Sequence, residues 1–420
     1  MNRVLRARFI LVAAMAPSLS LAFILSQFLR TTPAVIAPNL RSELDLSAVE
    51  LSSLPAAIFL GSAMMQLPVG VLLDRFGPRR TISSFMLITA VGTLSISAAQ
   101  SPALLAIALF VIGCGIAPVY MGLIVMLSRW VPRDRLATAS SIAVAVSGTG
   151  LLLSSTPFAW ATAAIGWRDT LGFIGMGTVV VAAIVWLVAR DHPPGEMVAE
   201  TNQETLTETI RGIGHILTDR RLYGLAAVAS VSVGSLLTTR ALWTGPYLND
   251  VYGLGLIARG DVILAMSAAW LVSSLLYGPL DRVFDTRRGV VSAGAIGMAV
   301  AYVLLAVNNN SSVALVTGLL VLLGLSAAFT APIFAHVRAL FPDTHTGRAI
   351  TAINLFTWSG VFVVQMATGA IVNAFPADAL GRSPLAAYQT MFAALAVVLI
   401  IAVLIYRRTE DVPPSNDIAS

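Results

Sequence analysis

Gly70 to Arg80 reads GVLLDRFGPRR, and Gly278 to Arg288 reads GPLDRVFDTRR. Each stretch sets an aspartate, an arginine and a closing pair of arginines in a short polar gap between two long apolar runs. Asp74 and Asp281 lie 207 positions apart, and Arg129 and Arg338, each at the end of a later apolar run, lie 209 apart. A lone DR pair in a loop is commonplace. The same charged pattern at the same place in two halves of a chain marks an internal repeat, here of six apolar runs.

Outward from that pair, the composition places the chain in a lipid bilayer. Apolar residues make up 57% of it and charged residues only 11%, with a mean hydropathy of +0.84, well outside the range of a soluble domain. A helical span needs about 20 mostly apolar residues. Twelve such runs are present, at 9–38, 49–73, 81–99, 103–130, 138–164 and 170–189, then 223–247, 262–283, 290–307, 313–340, 350–375 and 386–406. They are apolar all round, whereas strands of a membrane barrel alternate, so the fold class is an all-α integral membrane protein. The organisation that follows is an N-terminal six-helix half (1–189), a linker (190–221), a C-terminal half (222–408) and a tail (409–420). MNRVLRAR at the start is a short basic lead into a retained first span, since no small-residue cleavage site follows. The single cysteine, Cys114, falls inside the fourth run and reads as a small core residue.

All 26 basic residues are arginine. Twenty of them fall on the side shared by the two termini, against four (Arg41, Arg168, Arg259 and Arg382) on the other. By the positive-inside rule both termini are cytoplasmic, in the cytoplasmic (inner) membrane of the cell. The pI of about 9.8 therefore reports topology. The charge forms no continuous stripe, and no nucleic-acid partner is implied. In the linker, Leu206, Ile210, Ile213, Ile216 and Leu217 are spaced as one face of a short amphipathic helix lying on the membrane.

Gly70, Leu72, Asp74, Arg75, Gly77, Arg79 and Arg80 resemble the signature of the major facilitator superfamily, G-x-L-x-D-R-x-G-R/K-R/K, with Pro78 inserted before the final pair. GWRD at Gly166 to Asp169 and the twelve-helix layout with a long central loop are similar to that family too. The second copy departs from the pattern at Tyr277 and carries an extra residue, Asp285. The resemblance implies two pseudo-symmetric halves that rock about a midplane site, gated by Gly70, Asp74, Arg75, Gly77, Arg79, Arg80, Asp281 and Arg282. An aspartate at a helix end can accept from the exposed N–H groups of a neighbouring helix start. Packed as in the family, Asp74 reaches the start of span 11 near Gly347 to Ile350, and Asp281 the start of span 5 near Ala137 to Ser140.

FLRTTPAVIAPNL, from Phe28 to Leu40, holds an arginine between apolar runs. Arg30 either snorkels from a span that ends near Leu29, with Pro33 and Pro38 marking the stop, or sits at depth as part of a site. Arg240 in span 7 falls 210 positions later, within a turn of the repeat offset, which favours the site. Two facing arginines bind carboxylate or phosphate, because their planar forks donate in pairs. Gln27, Trp243, Tyr120, Asn354 and Trp358 are further polar or aromatic candidates for the same cavity; His336 reads as structural. An arginine on the first helix of each half also resembles organic-anion and organophosphate transporters of the superfamily.

Other classes are excluded or weakened by what is missing. Every one of the 21 acidic residues lies in a loop or at a span end, whereas a pump for cationic drugs wants a carboxylate at depth. Without a lysine there is no phosphate-binding P-loop, and no HExxH, GxSxG or His–acid cluster suggests an enzyme. The sequence therefore points to a secondary transporter for a small organic anion, without cofactor or metal, acting as a monomer. Efflux of hydrophobic or zwitterionic compounds is the alternative.

Overall fold

The computed structural model of the chain describes residues 3–131, 145–191, 218–309, 311–341 and 343–414, with positions 139, 142, 143 and 216 between them. Among these residues every regular element is a helix, and ten helices are long and apolar enough to cross a membrane. The second span is the shorter Ala48–Met64 continuing into Gln66–Ser97, a helix that turns at Gly77 and returns as the third span. Span 5 is described as Thr149–Leu153 and Thr156–Ile165, and span 10 as Val313–Ser326 and Thr330–Leu340, each broken near its middle. Large apolar side chains such as Val91, Phe173, Leu187 and Leu404 stand outward and exposed, as a lipid-facing surface requires. Of the residues named for the expected linker helix only Ile216, which is buried, is among the described residues.

The first span does not stop at its prolines. One helix, Arg3–Leu44, carries Pro17, Pro33 and Pro38 inside it. A proline withholds the N–H that would bond to the carbonyl four residues back. Pro33 leaves the Leu29 carbonyl in that position, and the Thr32 hydroxyl donates to it at 3.2 Å. Pro38 likewise frees the carbonyl of Ala34, which faces Gly245 of span 7 so closely that a Cβ there would sit 1.9 Å from the oxygen. Only glycine permits that approach.

The two halves meet tightly at the end opposite the termini. Besides Ala34 and Gly245, Gly369 of span 11 presses against Ser52 of span 2, and the Thr156 hydroxyl of span 5 donates to Asp261 of span 8 at 2.7 Å. Across the top, Arg41 of span 1 donates to the Asp250 carboxylate at 2.9 Å. The same carboxylate accepts from the Ser383 N–H and the Tyr388 hydroxyl. This end is sealed.

Near the termini, each half carries an aspartate that follows its last span and caps the start of its third. Asp191 accepts the main-chain N–H of Arg79 at 2.8 Å, and Asp411 accepts that of Arg288 at 3.0 Å. The repeat thus extends to the loops. In the second half Asp411 also accepts from Thr286, Arg287 donates to the Val412 carbonyl, and His336 bridges the Tyr406 hydroxyl and the Glu410 carbonyl. Residues 409–412, expected as a tail, lie strapped to the helical bundle.

Candidate functional site

Arg30 and Arg240 are both at depth and buried, at 8% and 3% exposure. The helix around Arg30 runs on for more than three turns to Leu44. Arg240 sits in a π-helical turn, Thr239–Trp243, inserted into span 7 and tied by the Thr244 hydroxyl to the Thr239 carbonyl at 2.8 Å. Such turns widen the helix and redirect side chains, and they recur at functional sites. The tight Ala34–Gly245 contact lies about one turn beyond each arginine on parallel helices, so both belong to one region just inside the sealed end.

Neither guanidinium is satisfied. Nε and Nη1 of Arg30 and of Arg240 have no hydrogen-bond partner among the described residues, although a buried charge without partners carries a large desolvation cost. What each arginine has instead is an aromatic face. The Arg30 Cζ lies 4.1 Å from the ring centroid of Trp358, which stacks on Phe59 at 5.9 Å. The Arg240 Cζ lies 5.4 Å from that of Trp270 in span 8. A stacked indole attracts the cation and fixes its plane, leaving its N–H edges free.

The other expected residues divide. Trp358 is at the site, and Gln27, one turn before Arg30, is half-buried on the same helix. Asn354 is half-buried one turn before Trp358. Tyr120 is 41% exposed, its ring 5.5 Å from that of Phe23. Trp243 is turned into the C-terminal half, where its indole N–H donates to Thr368 at 2.9 Å and its ring meets Tyr388. Sequence reasoning did not single out Trp270, whose only signal is an aromatic in an apolar run. It also passed over Gln365, fully buried two turns beyond Trp358 with both amide atoms unpartnered among the described residues.

The residues expected to gate lie at the end near the termini. Gly77 has φ 77°, and a Cβ there would strike the Asp191 carboxylate at 2.6 Å. Arg79 donates through Nε to the Trp186 carbonyl and stacks on that indole, while Arg75 lies over Phe76. Gly70 has open space where a side chain would be. Arg80 and Arg282 are exposed. Asp74 is exposed at the helix end and engaged in a polar or charged contact. Asp281 is buried, with Arg287 at 3.9 Å; the expected start of span 5, at 137, 138 and 140, lies outside the described residues. No group of His, Cys, Asp and Glu suited to hold a metal occurs among the described residues.

Comparison with known proteins agrees with this architecture. The chain is 24% identical to the hexuronate transporter of Escherichia coli (strain K12), with 92% of each chain covered. It is 23% identical to the probable galactarate/D-glucarate transporter GudP of Bacillus subtilis (strain 168), with 82% of each covered. Its fold matches a bacterial homologue of the human lysosomal transporter Spinster, solved inward-facing and occupied, at a TM-score of 0.76, 17% identity and 97% coverage of both chains. Residues 19–276 and 258–420 match the Major Facilitator Superfamily, and the chain belongs to that family.

Proposed function

We propose that the protein is a secondary transporter that carries a small organic anion across the cytoplasmic membrane by alternating access. The observation that carries this reading is the pair Arg30 and Arg240, both buried, both with unpartnered donors, in a region where no described carboxylate pairs with either. An anion supplies the missing acceptors and the missing charge at once. The names of the relatives agree, since galactarate, D-glucarate and hexuronates are carboxylates.

The arginine-rich end with both termini faces the cytoplasm by the positive-inside rule. The seal at Arg41 and Asp250 is then extracellular, and the structure is of the state closed to the outside. Reopening breaks those contacts and closes the cytoplasmic end, where Asp74, helped by Arg75, Arg79 and Arg80, latches onto the start of span 11; Asp281 and Arg282 serve the second copy. The protein works as a monomer, with one site between its halves.

Thermal shift of the detergent-purified chain tests the reading. Carboxylates, organophosphates, inorganic anions and cationic dyes are compared in wild type, Arg30→Ala and Arg240→Ala. Stabilisation by an organic anion that both variants sharply reduce is the expected result. Stabilisation by cations or neutral lipophiles, unchanged in both variants, would favour efflux of such compounds and overturn the anion reading.

A further inference from the structure

Charge accounting at the same site narrows the substrate further, and rests on the anion reading above. An arginine keeps its proton at any physiological pH. The site therefore holds two positive charges that cannot be removed by deprotonation. Asp250, at the sealed end, is committed to Arg41, Ser383 and Tyr388, and Asp261 accepts from Thr156. Among the described residues no carboxylate forms an ion pair with Arg30 or Arg240. A monoanion enclosed between them would leave one buried charge uncompensated, whereas two negative charges on one molecule balance the site.

The two guanidiniums are supported separately. Trp358 covers a face of Arg30 and Trp270 a face of Arg240. The two indoles stand on different spans, 11 and 8, so the guanidiniums are held by independent supports. Each keeps unpartnered Nε and Nη1 donors. With donors of its own left free, each guanidinium can take an anionic group of its own, and a short molecule with one at each end engages both.

We infer that the transported substrate is a dianion, a short dicarboxylate or its sulfonate or phosphate equivalent, with one anionic end on Arg30 and the other on Arg240. The test uses the full chain in detergent and probes matched in everything but the second charge. Galactarate is compared with D-galactonate, and succinate and adipate with their monoamides, by calorimetric titration at neutral pH. Wild type binds at least one dianion roughly tenfold or more tighter than its monoanionic counterpart. In Arg240→Gln, and independently in Arg30→Gln, that ratio falls to about one or inverts while monoanion binding persists.

Equal binding of dianion and monoanion by wild type overturns the inference and leaves the anion reading intact. A ratio unchanged in folded single variants, judged by their gel-filtration profile, overturns it as well. Absence of binding by every anion in a broad panel brings down the anion reading and this inference together.

Discussion

The Arg30 guanidinium, on the first span of one half, lies 4.1 Å over the indole of Trp358, on the eleventh span of the other. The contact bridges the two bodies that must move against each other, and it shields a cation whose Nε and Nη1 have no partner among the described residues. A desolvated cation–π contact is worth about 2 kcal/mol. Trp358→Leu is therefore expected to weaken anion binding by roughly tenfold, less than Arg30→Ala, while Trp358→Phe keeps part of it. Titration of the purified variants decides this. An unchanged affinity in Trp358→Leu would reduce the indole to packing on Phe59.

The Arg41–Asp250 pair predicts how the seal opposite the termini is held. The Asp250 carboxylate is nearly inaccessible and accepts four hydrogen bonds, from Arg41, Ser383, Tyr388 and the neighbouring Asn249. Removing one partner of a buried pair costs about 3–5 kcal/mol, and here the cost falls on the sealed state, because opening hydrates Arg41. Asp250→Asn should shift the population toward the form open at that end. In a Cys114→Ala background, Ala37→Cys, buried at the seal, should label faster with an impermeant maleimide when Asp250 is replaced. Equal labelling rates would show that helix packing alone holds the seal.

What the sequence disclosed and what it hid follow from one distinction. Patterns repeated along the chain were readable: the twin DR…RR loops, the apolar runs and the arginines at matching depth in each half. Contacts made only when distant spans stack were not. Arg41 and Asp250 lie 209 positions apart, and each alone is an ordinary charge at a span end. Trp243 was expected beside Arg240 because three residues bring side chains round to nearly one face of an α-helix. The π-turn alters that angle, and no feature of TRALW announces it. The first span was also ambiguous. Pro33 reads as a stop until the Thr32 hydroxyl is seen to take the place of the missing N–H.

Gly77 joins the signature loop to the end of the sixth span. Its φ of 77° disfavours any residue with a Cβ, and the Asp191 carboxylate fills the space where that atom would go. Gly77→Ala should destabilise the protein by about 1–3 kcal/mol and expel Asp191 from the Arg79 N–H. Asp191→Asn, which keeps an acceptor at that N–H, should cost less. Melting temperatures of the two variants test the ranking, and a harmless Gly77→Ala would show that the loop can rearrange without Asp191.

Asp411 makes the C-terminal strap sensitive to acid. Partial burial alone would raise its carboxyl; the Thr286 hydroxyl, the Arg288 N–H and the charges of His336 and Arg288 outweigh that, and the group rests below its ordinary value. A carboxyl depressed in the folded state contributes stability that is full above the unfolded value and is lost as pH falls through the folded one. The contribution is about 1 kcal/mol, discounted because the group is partly solvated. Asp411→Asn should therefore melt lower than wild type at neutral pH, and the two curves should converge as pH drops below the ordinary aspartate range. The strap also bears on Arg287, the partner of buried Asp281, so its release should loosen the second signature loop. Hydrogen exchange of residues 281–290 in Asp411→Asn reads this directly: faster exchange there is expected, and unchanged protection would show that the loop holds without the strap.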